Sequence, residues 1–281
     1  MDEKKLISSL VELAFAEDIG DGDHTTLCCI PPIEIGSSKL IIKEDGILAG
    51  VEVAIGVFNK LDSNLKVEVY INDGAQVKKG DVAFIVKGKV QSILQAERLV
   101  LNIMQRMSGI ATVTSKYVKE LEGTSAKVLD TRKTTPGMRI LEKQAVKIGG
   151  GVNHRIGLFD MILLKDNHVD FAGGIENAIL RAKEYLENNK KDLKIEIEVR
   201  SLEELRDALR VGGVDRIMLD NFSPEKTREA VKIVNGKVEL ESSGGINFNT
   251  IREYALTGVD YISVGALTHS VMSLDMSLKA I

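Results

Sequence analysis

The sequence predicts an α/β protein in which a small antiparallel sheet with helices precedes a parallel strand–helix array. The array is predicted by six short apolar segments after residue 124 that alternate with helical segments, a pattern typical of βαβ units. The small sheet is predicted by period-two patterns and Asp-Gly turns in the first ninety residues. With 281 residues, the chain is long enough for a barrel with a smaller companion domain.

The first ninety residues begin with a predicted amphipathic helix. Apolar residues recur at helical spacing over residues 2–17, and a further helix suits residues 51–61. Asp-Gly turns separate the extended segments, which favours neighbouring antiparallel strands. The strands predicted here are Lys39–Lys43, Leu65–Ile71 and Asp81–Val86.

A polar loop near residue 20 carries Asp21, Asp23 and His24. These side chains could bind a metal, but no further ligand follows at a fixed spacing. Asx turns and helix capping therefore explain them better. The adjacent Cys28 and Cys29 lack the spacing of metal ligands and are interpreted as reduced thiols.

A long helical pattern runs from Ser92 to Leu121. The pair Ser108-Gly109 is predicted to interrupt it, which would give two helices. Arg98 and Arg106 lie among the apolar residues of this pattern. We expect each of them on a solvated helix face.

The array that follows predicts parallel strands joined by right-handed crossovers, wound into a barrel or an open sheet. Because six strands are fewer than eight, either two strands lie in the N-terminal half or the barrel is incomplete. The last segment, LDMSLKAI, alternates like a strand that returns to the N-terminal sheet. The predicted strands are 127–130, 161–164, 194–199, 215–219, 237–242 and 260–264, and the helices are 136–148, 174–188, 201–211, 223–234 and 246–257.

Composition excludes several classes of function. The formal net charge of −4 argues against general affinity for nucleic acid or acidic membranes. The N-terminus lacks the basic-then-apolar form of a signal peptide, and no apolar run approaches the roughly 20 residues that span a bilayer. We therefore expect a soluble cytoplasmic protein without a nucleic-acid or membrane partner.

Charged and glycine-rich residues follow the predicted strands. Because the carboxyl ends of parallel strands meet at one rim of a barrel, we expect these residues close together. In chain order they are Arg132 with Lys133, Lys165, Glu198, Asp220 with Asn221, the turn Ser242 to Gly245, and Gly265-Ala266.

Each group on this rim suits a different ligand. Arginine and lysine bind carboxylates, and they stand out here against an acidic chain. The two carboxylates, Glu198 and Asp220, suit Mg²⁺. The glycine-rich turns are predicted to open helices, where backbone N–H groups hold phosphate. The conjunction predicts a site for an anionic organic substrate, a phosphorylated substrate and Mg²⁺.

These residues lie within motifs that resemble one family, the quinolinate phosphoribosyltransferases, also called nicotinate-nucleotide pyrophosphorylases (carboxylating). The resemblance runs from about residue 10 to residue 278 and is long and ungapped. It is carried by EDIGDGDHTT, ILAG, AERLVLNIMQRMSGIAT, DTRKTTPGMR, GGGVNHRIGLFDMILLKDNH, IEIEV, IMLDNF, ESSGGI and GVDYISVGALTHS.

The resemblance implies two domains. These are an N-terminal α/β sandwich over residues 1–108, joined by the C-terminal segment 270–281, and an incomplete α/β barrel over residues 109–269. It implies transfer of the phosphoribosyl group of phosphoribosyl pyrophosphate (PRPP) to quinolinate, which yields nicotinate mononucleotide, pyrophosphate and CO₂ for NAD synthesis. It also implies a homodimer, with assembly into a trimer of dimers left open.

The resemblance further implies a role for each motif residue. The quinolinate carboxylates would be held by Arg132, His154, Arg155 and Lys165, with Arg98 from the neighbouring subunit. Lys133 would contact PRPP, and Glu198 with Asp220 would hold Mg²⁺ and the ribose hydroxyls. Ser243, Gly244 and Gly265 would cradle the 5′-phosphate. The catalytic set would be Lys133, Lys165, Glu198 and Asp220, and no motif position departs from the family pattern.

Two alternatives remain open on the sequence. The first is a related enzyme that uses nicotinate or another acid, or a paralogue associated with molybdate transport. The second is a non-catalytic anion-binding protein on the same barrel. The five basic residues at the predicted site favour a dicarboxylate substrate over a monocarboxylate. The presence of both Glu198 and Asp220 argues against a protein that binds anions without turning them over.

Overall fold

The computed structural model describes residues 2–281 and divides into two compact units. The first unit holds residues up to Ser115, Thr134–Gly150 and Leu267–Ile281, and the second holds Lys116–Lys133 and Gly151–Ala266. The units follow packing rather than chain order, and the domain boundary expected between residues 108 and 109 remains a prediction.

Helices and strands alternate one by one only in the parallel array of the second half, and the helices Asp166–Ala172 and Ile175–Asn189 are consecutive even there. The helices are α1 (Glu3–Ile19), α2 (His24–Cys29), α3 (Val51–Leu61), α4 (Val90–Glu120), α5 (Arg139–Ile148), α6 (Asp166–Ala172), α7 (Ile175–Asn189), α8 (Leu202–Val211), α9 (Pro224–Val234), α10 (Ile251–Ala255) and α11 (Ala266–His269). The strands are β1 (Ile35–Ile42), β2 (Gly46–Ile47), β3 (Lys66–Val69), β4 (Gln76–Val77), β5 (Val82–Lys89), β6 (Lys127–Leu129), β7 (Ile162–Leu164), β8 (Ile195–Val199), β9 (Arg216–Asp220), β10 (Glu239–Ser243), β11 (Tyr261–Ser263) and β12 (Met276–Ala280).

The first unit is built on an antiparallel sheet with the strand order β12-β1-β5-β3. The short strands β2 and β4 form a separate antiparallel pair. In β1, Leu40 and Ile42 are fully buried, and they lie opposite Leu278 and Met276 of β12. The antiparallel sheet and the returning C-terminal strand are both as the sequence predicts.

The polar loop before α2 is explained by capping. The Asp23 carboxylate accepts a hydrogen bond from the backbone N–H of Thr26 at 3.0 Å, which is the geometry of an N-cap. This confirms the interpretation of the loop as turn and cap. Cys28 and Cys29 are exposed free thiols.

The predicted break in α4 is wrong, because the helix runs without interruption through Ser108 and Gly109. The Ser108 hydroxyl is fully buried, accepts from Ala49 N at 2.8 Å and donates to Ala49 O at 3.0 Å. A Cβ on Gly109 would lie 2.2 Å from the carbonyl oxygen of Met272. Both small residues therefore serve close packing within the first unit, and neither ends the helix.

The expected solvated position of Arg106 is also wrong. Its guanidinium lies 2.8 Å from Oε1 of Glu142, a side chain with no solvent exposure, and donates to the carbonyl oxygen of Thr268. A buried carboxylate needs such a partner, because an unpaired charge away from water is strongly unfavourable. Arg98 is exposed on α4, as expected.

The second unit contains a parallel sheet with the strand order β6-β11-β10-β9-β8-β7. Strands β6 and β7 follow each other in the chain but lie at opposite ends of this order. Among residues 2–281 no pairing joins them, so the barrel is incomplete, as predicted. The strands of the N-terminal half form sheets of their own and do not complete it.

Alternation in the strands places charge on one face of this sheet. Successive side chains of a strand point to opposite faces. In β8, Ile195, Ile197 and Val199 therefore share one face, and Glu196 and Glu198 share the other. All five are buried. The interior of the barrel consequently carries carboxylates where such barrels usually carry branched apolar side chains.

Several helix boundaries differ from those predicted. Helix α5 begins at Arg139 instead of Pro136, since Gly137 has φ +81° and ends a turn that precedes the helix. Helix α6 was not predicted, because its seven residues are too short for a clear period. Helix α10 begins at Ile251, five residues after the predicted start at 246. Along the described chain, every helix is too short or too polar to cross a lipid bilayer.

The Gly109→Ala substitution should lower the free energy of unfolding by about 1–3 kcal/mol, because the new methyl group would overlap backbone atoms. The matched control is Gly56→Ala in α3, where a Cβ meets nothing within 4 Å. That change should raise stability by about 0.5–1 kcal/mol through helix propensity. Urea unfolding of both variants measures the difference, and equal effects would contradict the close-packing role.

Candidate active site

A cavity of about 320 Å³ lies in the second unit, among residues at the carboxyl ends of its parallel strands. This is the end of a strand–helix barrel at which active sites occur. Its wall combines basic, acidic and hydroxyl side chains. The lining residues are Thr131, Arg132, Lys133, His154, Arg155, Leu163, Lys165, Met218, Glu241, Ser243 and Ser263. Six of the predicted site residues are therefore brought together here.

Arg132 and Lys133 belong to the exposed turn that follows β6. The backbone N–H of Lys133 donates to the Thr131 hydroxyl at 3.0 Å, an ST-type turn that shapes this loop. Lys165 follows β7 and is the N-cap residue of α6. Its side chain is 47% exposed, so the ammonium group is open to a ligand.

The loop that carries His154 and Arg155 is anchored to the end of β6. Asp130 is fully buried, and its carboxylate accepts from His154 N at 2.8 Å and from the Asn153 side-chain amide at 2.5 Å. A parallel bridge joins Leu129 to Val152 just before these contacts. The loop thus continues the edge of the sheet beyond β6.

The guanidinium of Arg155 is half-buried beside the cavity. Its Nη1 donates to the carbonyl oxygen of Met161 at 3.1 Å. Burial lowers the pKa of Arg155 from its usual value, and the neighbouring Arg132 cation lowers it further. Arg132 and Arg155 repel each other in a partly buried part of the cavity wall. An anionic ligand bound between them would offset this repulsion.

Three side chains that sequence reasoning missed lie beneath this wall: Glu196, Arg216 and Glu241. Arg216 Nη1 lies 3.2 Å from Glu241 and 3.9 Å from Glu196, and its guanidinium stacks on the Tyr261 ring at 4.0 Å. The imidazole Nε2 of His154 lies 3.1 Å from Glu196 and 3.5 Å from Glu241. The alternation of apolar and acidic residues in IEIEV and ELESS could have predicted Glu196 and Glu241, since it places their side chains on the inner face of the sheet.

Burial dominates the ionisation of the two interior carboxyls. Removal from water raises the pKa of Glu196 to about 7, and Arg216 opposes this rise. Burial also raises the pKa of Glu241 to about 8, where the Glu196 charge adds to the effect and His154 opposes it. Burial thus favours the neutral form of each carboxyl, and the charged form is favoured by Arg216 beside both and by His154 beside Glu241.

Glu198 and Asp220 lie at the carboxyl ends of the neighbouring strands β8 and β9, beside the cavity. Lys165 Nζ lies 3.5 Å from Glu198 Oε2, and Asp220 is in register with Ser243, which lines the cavity. Burial raises the pKa of Glu198, the neighbouring Lys165 opposes this rise, and the nearby carboxylates of Asp220 and Asp166 add to it. Two carboxylates close enough for one to raise the cost of ionising the other offer the hard oxygen donors that Mg²⁺ prefers, so the residues present fit that ion.

Gly244 lies where a side chain has no space. A Cβ there would approach Asn221 Oδ1 to 2.2 Å, and its φ of +97° favours glycine. Because α10 begins only at Ile251, no helix N-terminus follows Gly244, which corrects the expectation for this turn. Gly265 does directly precede the short helix α11. Arg98 lies in the other unit and is not among the residues of this set.

Comparison with known proteins gives a consistent result along the chain. The model of the quinolinate phosphoribosyl transferase N-terminal domain matches residues 23–108, and that of the C-terminal domain matches residues 110–279. A mitochondrial quinolinate phosphoribosyltransferase [decarboxylating] of Nicotiana glauca is 44% identical, over 97% of this chain and 82% of its own length. A probable nicotinate-nucleotide pyrophosphorylase [carboxylating] of Bacillus subtilis is 40% identical, over 97% and 92%.

A solved structure shares the whole fold. The nicotinate-nucleotide pyrophosphorylase of Francisella tularensis superimposes with a TM-score of 0.92 at 44% sequence identity, over 99% of this chain and 96% of that one. Both halves of the chain thus match the same family, in sequence and in structure. The chain belongs to the quinolinate phosphoribosyltransferase family.

Proposed function

We propose that this chain transfers the phosphoribosyl group of PRPP to quinolinate, with release of pyrophosphate and CO₂, and so makes nicotinate mononucleotide for NAD synthesis. Family membership supports the reaction, since relatives that match nearly the whole chain carry this activity in their names. The observation that carries the proposal for this molecule is the basic wall of the cavity, where Arg132, Lys133, Arg155 and Lys165 meet on a chain of net charge −4.

We assign the quinolinate carboxylates to Arg132, Arg155 and Lys165. Arginine offers a planar fork that pairs with a carboxylate through two hydrogen bonds and orients it, and lysine adds a point charge. A ligand with a single carboxylate would leave part of this wall without a counterion. The resulting desolvation penalty favours quinolinate over nicotinate.

We assign PRPP to the neighbouring part of the rim. Lys133 would contact the pyrophosphate portion, and Ser243, Gly244 and Gly265 would surround the 5′-phosphate. A side chain at Gly244 would overlap Asn221, so this turn must keep a glycine there. The assignment is supported because no side chain at that position can block a phosphate from the backbone. Glu198 and Asp220 would hold the ribose hydroxyls and Mg²⁺, whose charge would neutralise the departing pyrophosphate.

The reaction needs electrostatic support rather than a protein nucleophile. The bond from the ribose carbon C1′ to pyrophosphate breaks as the quinolinate nitrogen forms its bond to C1′, and positive charge builds on the sugar. As the bond to pyrophosphate breaks, Lys133 can stabilise the negative charge of the leaving pyrophosphate, and Lys165 can stabilise the quinolinate carboxylates. The new pyridinium then accepts the electron pair of the adjacent carboxylate, CO₂ leaves, and the ring carbon takes up a proton.

We also propose a homodimer in which Arg98 of one subunit completes the cavity of the other. Arg98 is exposed on α4, so its guanidinium is accessible to a second subunit. A trimer of such dimers and the cytoplasmic location stay predictions from the sequence.

The protein should form mononucleotide from PRPP and quinolinate in the presence of Mg²⁺, and it should form little from nicotinate. Chromatographic detection of the product in parallel reactions measures this preference. Addition of EDTA should abolish turnover, and excess Mg²⁺ should restore it. Product from nicotinate alone would indicate the related enzyme that uses nicotinate. Absence of product from either acid would favour the non-catalytic anion-binding protein.

The Glu198→Gln variant should need at least about tenfold more Mg²⁺ for half-maximal rate, because the substitution removes a charged metal ligand. The matched control is Glu203→Gln on the exposed face of α8, which should titrate with Mg²⁺ like the parent. An unchanged Mg²⁺ requirement in Glu198→Gln would remove this residue from the metal site.

Mixing Arg98→Ala protein with Lys165→Ala protein should restore activity that neither variant has alone. In a hybrid dimer one site carries both changes and the other carries neither, so about a quarter of parental activity is expected from an equal mixture. A mixture of Lys165→Ala and Glu198→Gln is the control, because every hybrid site stays damaged. Failure of the first mixture to recover would exclude a shared site.

A further inference from the structure

Asn221 lies directly after β9 and next to Asp220, and the proposed reaction gives it no role. Its backbone has a φ of +55°, in the left-handed region that few residues other than glycine adopt. In the described chain, Lys190 and Asn235 are the other non-glycine residues with positive φ, and each of them ends a helix. Asn221 follows a strand at the rim of the cavity, so its conformation serves a different purpose.

Three contacts of Asn221 join the ends of β9 and β10. Its main-chain N–H donates to the carbonyl oxygen of Ser243 at 2.9 Å, one residue beyond the last pair of the two strands, Asp220 with Ser243. Its side-chain Nδ2 donates to Asp220 Oδ2 at 2.8 Å. A Cβ on Gly244 would overlap Oδ1 of the same amide, so the amide fills the space beside this turn. One side chain thus lies against both the carboxylate assigned to Mg²⁺ and the turn assigned to phosphate.

Two requirements at this position explain why the residue is an asparagine. Asparagine, aspartate and glycine adopt the left-handed conformation at low cost, whereas most other side chains are strained there. A carboxylate has no hydrogen to donate, so a neighbour that holds Asp220 must present a donor. Aspartate would place a second carboxylate beside it, and glycine would leave Oδ2 without this hydrogen bond. Asparagine meets both requirements.

The hydrogen bond from Asn221 gives the Asp220 carboxylate one orientation. Asp220 is only half-buried at the end of its strand, so packing alone does not restrict the side chain to one rotamer. The bond occupies one acceptor site on Oδ2 and leaves Oδ1 and the other lone pair of Oδ2 for a ligand. Hydrogen bonds of this kind commonly orient carboxylates that bind metal, and their loss costs about 10–100-fold in metal affinity or activity.

We propose that Asn221 is a positioning residue for PRPP, which orients the Asp220 carboxylate and fixes its distance from the turn at Gly244. The ribose hydroxyls and the 5′-phosphate belong to one substrate molecule, so the separation between them is restricted. The protein groups that receive them must keep a matching separation, and one amide in contact with both sets it. The inference rests on the proposed function, which assigns Asp220 to ribose and Mg²⁺ and Gly244 to phosphate.

The Asn221→Gly variant keeps the left-handed backbone and removes only the side-chain amide. We expect it to raise the KM for PRPP at least about tenfold, because a loosely oriented carboxylate must be ordered when the substrate binds. The KM for quinolinate should stay within about threefold, since the acid meets Arg132, Arg155 and Lys165. The matched control is Asn235→Gly, at a left-handed asparagine that ends α9, which should leave both KM values at those of the parent.

Steady-state kinetics with the intact protein distinguish positioning of PRPP from a general structural role. An unchanged KM for PRPP in Asn221→Gly, or equal rises in the KM of both substrates, would overturn the proposal.

A second variant tests the link between Asn221 and the turn. Gly244→Ala adds a methyl group that overlaps the Asn221 amide, and this overlap is absent once that amide is removed. The rise in the KM for PRPP caused by Gly244→Ala should therefore be at least about threefold smaller in the Asn221→Gly background than in the parent. Equal rises in the two backgrounds would overturn the coupling of Asp220 to the turn.

Calorimetric titration with PRPP in the presence of Mg²⁺ tests the proposal without turnover. PRPP should bind Asn221→Gly at least about tenfold more weakly than the parent, and it should bind Asn235→Gly like the parent. A parent that binds PRPP but makes no mononucleotide would contradict the proposed reaction alone, and these affinities would still decide the positioning role. Equal affinities of the parent and Asn221→Gly would overturn that role, and a parent that does not bind PRPP would overturn both.

Discussion

The ion cluster around Arg216 inside the barrel is the constraint on which the second unit depends. Its guanidinium faces Glu241, Glu196 and Glu239 at 3.2 to 3.9 Å and stacks on Tyr261. Desolvation makes such a cluster a weak source of stability, and loss of one partner commonly costs about 3–5 kcal/mol. A barrel that needs only stability would fill this volume with branched apolar side chains. The cluster is therefore better understood through what it supports.

The contacts of this cluster continue from the barrel interior to the wall of the cavity. The carboxylates of Glu196 and Glu241 face the His154 ring, and that ring holds the backbone of Arg155. Because each partner has few alternatives in a dry interior, displacement of one would leave buried charge uncompensated. Three contacts thus connect Arg216 in the barrel interior to the basic wall: Arg216 with Glu241, Glu241 with His154, and His154 with the backbone of Arg155.

Sequence reasoning predicted those parts of the fold that depend on local pattern. Period-two and strand–helix alternation predicted all six barrel strands, and the parallel arrangement brought Arg132, Lys165 and Ser243 to one rim. The break at Ser108-Gly109 was wrong, because small residues in a helix have two meanings: a weak helix, or a close approach of another backbone. Only the position of Met272, more than 160 residues away in the chain, decides between them.

The missed interior residues show the same limit. Glu196 and Glu198 stand two positions apart in one strand, and nothing in IEIEV distinguishes the carboxylate that supports a histidine from the one that ends at the rim. Their difference comes from depth: Glu196 is in register with Arg216, and Glu198 is in register with Met218, which lines the cavity. Register across strands is a long-range property, so a single strand cannot reveal it.

The order of strands around the incomplete barrel separates charge along its rim. Arg132 with Lys133 and Lys165 follow β6 and β7, which flank the gap, and the acidic pair lies at the carboxyl ends of β8 and β9. The hydroxyl and glycine residues follow β10 and β11. Under the proposed function, a dicarboxylate would meet the cations by the gap, and the carboxylates beside them would hold Mg²⁺ for the pyrophosphate. The 3.5 Å contact of Lys165 with Glu198 lies where the two regions join. Under that function both substrates would have to reach this boundary for the ring nitrogen to attack C1′, so the order of strands in the sheet would bring the two reactants together.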